Sequence, residues 1–159
     1  MSAHVEIASK APHPPTKEIE KWVDAAIEQR HPQAEVCIRV IDEDEMTKLN
    51  GNYRQKYKPT NVLSFPAQIP SEIELNLLGD IAICAPVVET EAIEQSKEPI
   101  AHWAHIVVHG CLHLQGFDHE EEADATLMEK TEIQILKMLG YKNPYKATDD
   151  KQRNITPAN

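Results

Sequence analysis

The chain has 159 residues, enough for one domain to bury a core without disulfides or obligatory oligomerisation. Hydrophobic residues make up 41% and charged residues 26%, which is ordinary for a soluble globular protein and argues against wholesale disorder. No apolar run approaches the roughly 20 residues that a membrane span needs. The N-terminus shows no basic region followed by an apolar one, so no signal peptide is visible. We therefore expect a cytoplasmic protein with no membrane partner.

The net charge of −10 disfavours a nucleic-acid partner when it is taken alone. The charge is uneven, however, because the chain up to Pro59 has ten acidic and nine basic residues, and the remainder has sixteen and seven. An anion-binding surface is therefore expected in the first part of the chain. Cys37, Cys84 and Cys111 are far apart and lack C-x-x-C spacing, which predicts small buried side chains rather than disulfides or thiolate zinc ligands.

The first part of the chain alternates strands and helices. Residues 4–8 and Glu35–Ile41 alternate in hydrophobicity, which predicts two strands. Between them, apolar residues at helical spacing predict a helix from Thr16, as its N-cap, to about Arg30. Asp42, with Glu45 three residues later, has the capping-box pattern and predicts a second helix.

Further along, residues 61–66 form a short apolar segment that ends at Pro66 and predicts a strand. Residues 67–77 are interpreted as a polar loop over a cleft. The next strand, residues 78–84, is mostly apolar, so we expect it near the centre of the sheet.

The second part of the chain is predicted to be helical. Pro86 and Pro99 suit the first turns of two helices, and Gly116 suits the end of the second. A last helix over about 121–139 should end at Gly140. Its predicted inward residues are Leu127, Met128, Ile135 and Leu139. The pattern as a whole indicates one compact α/β or α+β unit over residues 1–147, with a flexible tail at 148–159.

Five of the eight histidines lie within residues 102–119. The segment HGCLHLQGFDH follows the spacing of the zinc-protease signature H-E-x-x-H-x-x-G-x-x-H, but Gly110 replaces the catalytic glutamate. His109 and His113 are one helical turn apart and can converge on one ion, and a chain reversal at Gly116 can bring His119 to it. Three imidazoles with an open fourth position are typical of catalytic zinc, although other divalent metals can also bind such ligands.

Two more histidines complicate this prediction. His102 and His105 share the helix face, and His105 with His109 has the same spacing as the favoured pair. We assign His102 and His105 to packing or to hydrogen bonds that support the ligands, with direct metal binding as the alternative.

A basic loop precedes the third strand. Arg54, Lys56 and Lys58 fall within five residues and alternate with Tyr53 and Tyr57. A guanidinium group binds phosphate in a bidentate manner, and an aromatic ring can stack on an unpaired base. The loop therefore has the chemistry of single-stranded nucleic-acid contact, although a solvated turn is the alternative interpretation.

Four segments in this order resemble the bacterial YbeY family of zinc-dependent endoribonucleases: NYRQKYKPTNVLSFP, LGDIAIC, HWAHIVVHGCLHLQGFDH and KTEIQILKMLGYKNPY. The resemblance extends from about Val5 to Tyr145. It implies an α+β fold with a small mixed sheet of about four strands and about five helices. It also implies one Zn²⁺ and a role in maturation of ribosomal RNA, at the 3′ end of the small-subunit RNA, and in ribosome quality control.

The resemblance also assigns residues. The metal ligands fall on His109, His113 and His119, and the family's functional arginine falls on Arg54. Asn61 stands where the family usually has aspartate. Single-stranded RNA, including ribosomal RNA, is the implied substrate, with Lys56 and Lys58 as further substrate contacts. The small ribosomal subunit and assembly factors are implied partners, and DNA is not.

Metal and arginine together suffice for phosphodiester cleavage in this hypothesis. The catalytic groups would be Arg54 and His109, the latter as a metal ligand. Gly110 would leave room close to the metal. Asp118 or Glu120 could transfer a proton, or Asp118 could orient a ligand histidine. The nucleophile is either water or the RNA 2′-hydroxyl. Two other functions stay open, a zinc metalloprotease-like hydrolase and a non-catalytic zinc-stabilised ribosome assembly factor.

Overall fold

The computed structural model describes residues 3–68, 76–118 and 120–145. Within these ranges the chain forms four strands and five helices. The strands are β1 (Ala3–Ile7), β2 (Glu35–Ile41), β3 (Val62–Pro66) and β4 (Leu77–Cys84). The helices are α1 (Thr16–Ile27), α2 (Glu43–Arg54), α3 (Ala85–Glu94), α4 (Pro99–Leu114) and α5 (Glu122–Met138). Most of the predicted elements are present within two or three residues of the expected bounds.

The four strands form one mixed sheet in the order β1-β2-β4-β3. β1 and β4 are parallel to β2, whereas β3 is antiparallel to β4. The expectation of an α+β fold with a small mixed sheet and five helices is confirmed. β4 is central, as its apolar sequence predicted, since a strand with neighbours on both sides has little exposed edge.

The main core lies between one face of the sheet and the helices α1, α4 and α5. Trp22, Trp103 and Ile38 are among its fully buried side chains. A smaller apolar cluster lies on the opposite face, where α2 and α3 cover part of the sheet. Its buried members are Ile41, Met46, Leu63, Ala82 and Cys84, with Leu49, Phe65 and Val87 packed against them. The two clusters pack helices against both faces of the sheet.

α4 lies directly on the sheet at Gly110. A Cβ atom at this position would be 3.1 Å from Cγ2 of Val62 and 3.2 Å from Cγ2 of Ile81. The hydroxyl of Ser64 also donates a hydrogen bond to the Gly110 carbonyl, at 2.9 Å. The expectation that Gly110 leaves room close to the metal is therefore wrong, because the space beside its Cα is filled by the sheet.

The starts of α1 and α2 are predicted correctly in place but not in mechanism, whereas Pro86 and Pro99 lie in the first turns of α3 and α4 as expected. Thr16 is the first helical residue rather than the N-cap, which is Pro15, and no side chain caps the helix. Asp42 is at the N-cap position of α2 but forms no capping hydrogen bond. Its Oδ1 instead accepts a hydrogen bond from Ser9 at 2.5 Å, and Glu45 pairs with Arg39 at 2.9 Å. Tertiary partners have replaced the local capping box.

One predicted core residue is wrong, because Leu127 is 56% exposed whereas its neighbour Met128 is buried. The helix ends are confirmed, since Gly116 and Gly140 have φ values of 97° and 95°, which favour glycine.

All three cysteines are free, and Cys84 and Cys111 are buried. Part of the predicted loop at 67–77 lies outside the described residues. The whole tail at 148–159 also lies outside them. Of the helices in the described ranges, none has the length and hydrophobicity needed to cross a membrane.

Candidate metal centre and cleft

Four histidines form a row along α4. His102, His105, His109 and His113 are three or four residues apart, so they lie on one face of the helix. The distances between successive ring centroids are 6.3, 6.2 and 4.6 Å. The rings of His109 and His113 are therefore the closest neighbours in the row.

His109 and His113 bring their Nε2 atoms within 3.1 Å of each other. Two imidazole nitrogens that bind one zinc at about 2.0–2.1 Å in tetrahedral geometry lie about 3.3 Å apart. The separation in this chain is close to that value, so the two rings fit a shared divalent ion. His119, the third predicted ligand, lies outside the described residues.

The other ring nitrogen of His109 contacts Glu132. Nδ1 of His109 donates a hydrogen bond to Oε2 of Glu132, at 2.5 Å. A proton on Nδ1 places the lone pair of the neutral ring on Nε2, which is the atom that faces His113. Glu132 thus sets the tautomer and the orientation that metal binding by Nε2 requires.

Glu132 is fully buried, and its carboxylate accepts three hydrogen bonds. Besides His109, the donors are Nε2 of His105, at 3.1 Å, and the hydroxyl of Tyr145. Burial raises the pKa of Glu132, but the hydrogen bonds outweigh burial and lower the pKa to about 2. Burial lowers the pKa of His105 despite Glu132, whereas burial and Glu132 together raise the pKa of Tyr145. The carboxylate is therefore ionised and held from three sides.

A second group of potential ligands shares His109. His105, His109 and Glu132 each offer one ligand atom, and these atoms lie within 4.8 Å of one another, so this group could also hold a metal ion. The two arrangements differ in the side of the His109 ring that would face the ion. Hydrogen bonds join the three side chains on the Nδ1 side, whereas the Nε2 side faces His113.

A cleft of about 490 Å³ lies beside His109 and His113. It is bounded by the end of α2, by β3, by α4 and by the turn after α4. Its polar and aromatic lining includes Tyr53, Arg54, His109, His113, Asp118 and Glu120. The structure thus brings Arg54 into the same cleft as two predicted metal ligands. Lys56 and Lys58 are exposed on the adjoining loop, and they are not among the described residues that line the cleft.

The basic loop is held in place by buried Asn50. Its side-chain Nδ2 donates a hydrogen bond to the backbone carbonyl of Lys58 at 2.8 Å, and its backbone carbonyl accepts one from the Lys56 backbone amide at 3.3 Å. α2 ends where Gln55 adopts a left-handed conformation, with φ of 60°. These contacts turn the loop back along the helix and leave Arg54 at the edge of the cleft.

A second carboxylate supports the beginning of α4. Glu91 accepts hydrogen bonds from Nε2 of His102, at 2.9 Å, and from Nδ2 of Asn61, at 3.2 and 3.3 Å to its two oxygens. Burial raises the pKa of Glu91, but the bonds from His102 and Asn61 outweigh burial and hold it below the usual range. Asn61 is therefore matched to this position, because its amide donates where a carboxylate could not.

Neither Glu132 nor Tyr145 was predicted from the sequence as a functional residue. Both lie in later parts of the chain, and no fixed spacing relates them to His109. One signal was available for Glu132, an acidic residue on the same helix face as Met128, Ile135 and Leu136. A carboxylate in a predicted apolar stripe requires buried partners, and histidines are suitable donors.

Comparisons with known proteins agree with this architecture. The family model described as Endoribonuclease YbeY matches residues 4–140. Endoribonuclease YbeY of Methylococcus capsulatus is 55% identical over 139 residues, which are 87% of this chain and 91% of that protein. A solution structure of a protein from Thermotoga maritima covers 98% of this chain and 96% of its own, with a TM-score of 0.57 and 22% identity, and it supports the fold. The chain belongs to the endoribonuclease YbeY family.

Proposed function

We propose that this protein is a metal-dependent endoribonuclease that cleaves single-stranded RNA. The observation that carries the proposal is the cleft that Arg54 lines together with His109 and His113, whose Nε2 atoms lie 3.1 Å apart. The family supports the same reaction class, since its description and that of the Methylococcus relative both name an endoribonuclease. The biological substrate would be ribosomal RNA, with maturation of the small-subunit 3′ end and ribosome quality control as its context.

The metal would be one Zn²⁺ or a similar divalent ion, held by His109, His113 and His119. A bound ion at this point supplies Lewis-acid activation of the phosphate or of water. Glu132 orients His109 for this role through the Nδ1 hydrogen bond. His105 and Tyr145 hold Glu132 in turn.

Arg54 would bind the scissile phosphate or its neighbour. Cleavage builds negative charge on the phosphate oxygens, and a guanidinium group offsets that charge while it fixes the group in position. Asp118 and Glu120 are the carboxylates that line the same cleft among the described residues, and either would hold or pass a proton there. Lys56 and Lys58, exposed on the loop, would contact phosphates farther along the strand.

The charge of the protein suggests how the substrate arrives. The net charge is −10, and among the described residues two carboxylates, those of Asp118 and Glu120, line the cleft together with Arg54. RNA would therefore meet a favourable surface mainly at Arg54, the basic loop and the bound cation. We propose that the small ribosomal subunit or an assembly factor presents the RNA in the cytoplasm and offsets this weak attraction.

A cleavage panel tests the proposal. Metal-loaded protein should cut a single-stranded RNA from the 3′ region of a small-subunit precursor, leave the same sequence intact in a duplex, and leave casein intact. Chelation should abolish cleavage, and addition of Zn²⁺ should restore it. Casein digestion without RNA cleavage would favour the protease alternative. Metal binding without turnover of any RNA would favour a non-catalytic assembly factor.

A further inference from the structure

The last turn of α2 places an aromatic ring beside Arg54. Tyr53 is 53% exposed, and its side chain lines the cleft that also contains His109 and His113. Most other large apolar and aromatic side chains of the described residues are buried or half-buried. An exposed ring on the wall of a polar cleft contributes little to the core, so its position calls for another explanation.

The ring of Tyr53 packs against the ring of Phe65. The two ring centroids are 4.5 Å apart, and the ring planes form an angle of 64°. Phe65 belongs to β3 and packs against the smaller core on the α2 side of the sheet. The Tyr53 ring is thus supported on a rigid element and loses little freedom when a ligand contacts it.

The size and chemistry of the cleft suit a short piece of a single strand. Its volume of about 490 Å³ lies in the range of roughly 300–1,000 Å³ that is typical of small-ligand pockets. Arg54 and Tyr53 are adjacent in sequence and line the same cleft. A guanidinium group takes a phosphate and an aromatic ring takes a base, so the pair presents both contacts that one nucleotide needs.

We propose that Tyr53 stacks on the base next to the scissile phosphate and thereby selects unpaired RNA. The inference rests on the proposed function, because it assumes that RNA occupies this cleft. In a duplex both faces of each base are covered by neighbouring base pairs, so a protein ring can stack only on a base that is free to turn outward. Stacking accepts every base, which makes Tyr53 a determinant of strandedness rather than of sequence.

Tyr57, on the loop that follows α2, provides an internal comparison. It is more exposed, at 74%, and its ring packs against Gly51, where an added Cβ would lie 2.2 Å from the ring. It is not among the described residues that line the cleft. If any exposed aromatic ring near the cleft contributed to RNA binding, both tyrosines would matter equally. The proposal instead predicts that RNA affinity depends more on Tyr53 than on Tyr57.

The experiment measures binding of a 2′-O-methyl single-stranded oligonucleotide, which lacks the 2′-hydroxyl nucleophile, to zinc-loaded protein, and a denaturing gel verifies that the oligonucleotide stays intact. Tyr53→Leu should weaken the Kd by about 5- to 150-fold, because that range corresponds to the loss of one base-stacking contact. Tyr53→Phe should retain wild-type affinity. Tyr57→Leu should have a smaller effect than Tyr53→Leu. The exposed residue Ile93, on α3, provides a control in Ile93→Ala.

A scan of abasic sites connects the ring to one base. In wild-type protein a single abasic position should weaken binding as much as Tyr53→Leu does, and Tyr53→Leu should lose nothing further on that oligonucleotide. If an abasic site at every position changes the Kd of wild-type protein by the same factor, the proposal is overturned. This part of the experiment uses wild-type protein alone, so it does not depend on whether a variant folds. An unchanged Kd in Tyr53→Leu, or an equal loss in Tyr57→Leu, would also overturn it.

The same samples separate this inference from the proposed function. If wild-type protein cleaves unmodified single-stranded RNA and Tyr53→Leu binds and cleaves it equally well, only the stacking proposal fails. If wild-type protein neither binds nor cleaves RNA, both proposals fail. Zinc content and the melting temperature of each variant establish that the comparison is between folded, metal-loaded proteins.

Discussion

Nδ1 of His109 lies 2.5 Å from the buried carboxylate of Glu132. The contact joins α4 to α5 and directs the opposite nitrogen of the ring toward His113. A carboxylate behind a histidine ligand raises the basicity of that ligand and fixes its orientation. The metal affinity of the cleft should therefore depend on residues of α5 that do not touch the ion.

Glu132→Gln should weaken zinc binding by about 10- to 100-fold, the usual effect of losing such a supporting group. The amide keeps the shape of the side chain but has one acceptor where the carboxylate has two. Tyr145→Phe removes one of the three donors to Glu132 and should give a smaller loss of affinity. Competition with a chromophoric chelator measures the zinc affinity of both variants. Wild-type affinity in Glu132→Gln would show that Glu132 does not support the site.

The position of the ion is tested by a pair of histidine variants. With the ion on the Nε2 side of His109, His113→Ala should lose bound zinc, and His105→Asn should retain it with reduced affinity. The reverse result would place the ion among His105, His109 and Glu132, the other possible group. Zinc content after dialysis, with circular dichroism as the folding control, gives the answer.

Gly110→Glu should not create a protease. The added side chain would enter the contact with Val62 and Ile81, at 3.1 and 3.2 Å from the new Cβ, rather than the cleft. An unpaired buried carboxylate and the lost packing should lower the free energy of unfolding by at least about 3 kcal/mol. Urea denaturation of this variant beside Gly110→Ala, which adds the Cβ alone, measures the effect. A stable variant that digests casein would contradict the packing explanation.

Asn61→Asp should destabilise the protein at neutral pH by about 1–3 kcal/mol, because a donor to the Glu91 carboxylate becomes a second acceptor. In the Glu91→Gln background the same substitution should be nearly neutral, since the glutamine amide can donate to the new carboxylate. A double-mutant cycle by urea denaturation measures the coupling. Equal losses in the two backgrounds would mean that Asn61 and Glu91 do not interact.

The Glu91 carboxylate also makes the free energy of unfolding depend on pH. The pKa of Glu91 in the folded protein lies below its ordinary value of 4.5. Its ionised form therefore stabilises the fold above about pH 4.5, and this contribution is lost as the pH falls below that value. The difference in unfolding free energy between wild type and Glu91→Gln should shrink as the pH falls below about 4.5. A difference that stays constant or grows would contradict the assignment.

Periodicity in the sequence was sufficient to predict most of the fold. Alternating apolar residues located β2 at its observed bounds, and Pro99 and Gly116 marked where α4 begins and where the chain turns after it. Local capping was predicted less well, because Asp42 and Glu45 have tertiary partners that the sequence does not show. Leu127 was wrongly placed inward since two adjacent residues, Leu127 and Met128, both fitted a helical stripe.

The site was predictable only where its parts lie on one element. His109 and His113 are related by one turn of α4, so their convergence follows from helix geometry alone. Glu132, Tyr145 and the packing of Gly110 against the sheet depend on how distant segments meet, and sequence spacing carries no information about those contacts. Arg54 was predicted from the composition of the basic loop and then from the resemblance to a family motif, but its place in the cleft beside the histidines does not follow from sequence spacing.

The central claim is that Arg54 and a histidine-bound metal act in one cleft on one phosphodiester bond. The direct test measures zinc content and single-stranded RNA cleavage in the same samples of wild type, Arg54→Ala and His113→Ala. We predict that Arg54→Ala retains zinc and loses cleavage, and that His113→Ala loses both. Wild-type cleavage by Arg54→Ala, or by protein stripped of metal, would contradict the account.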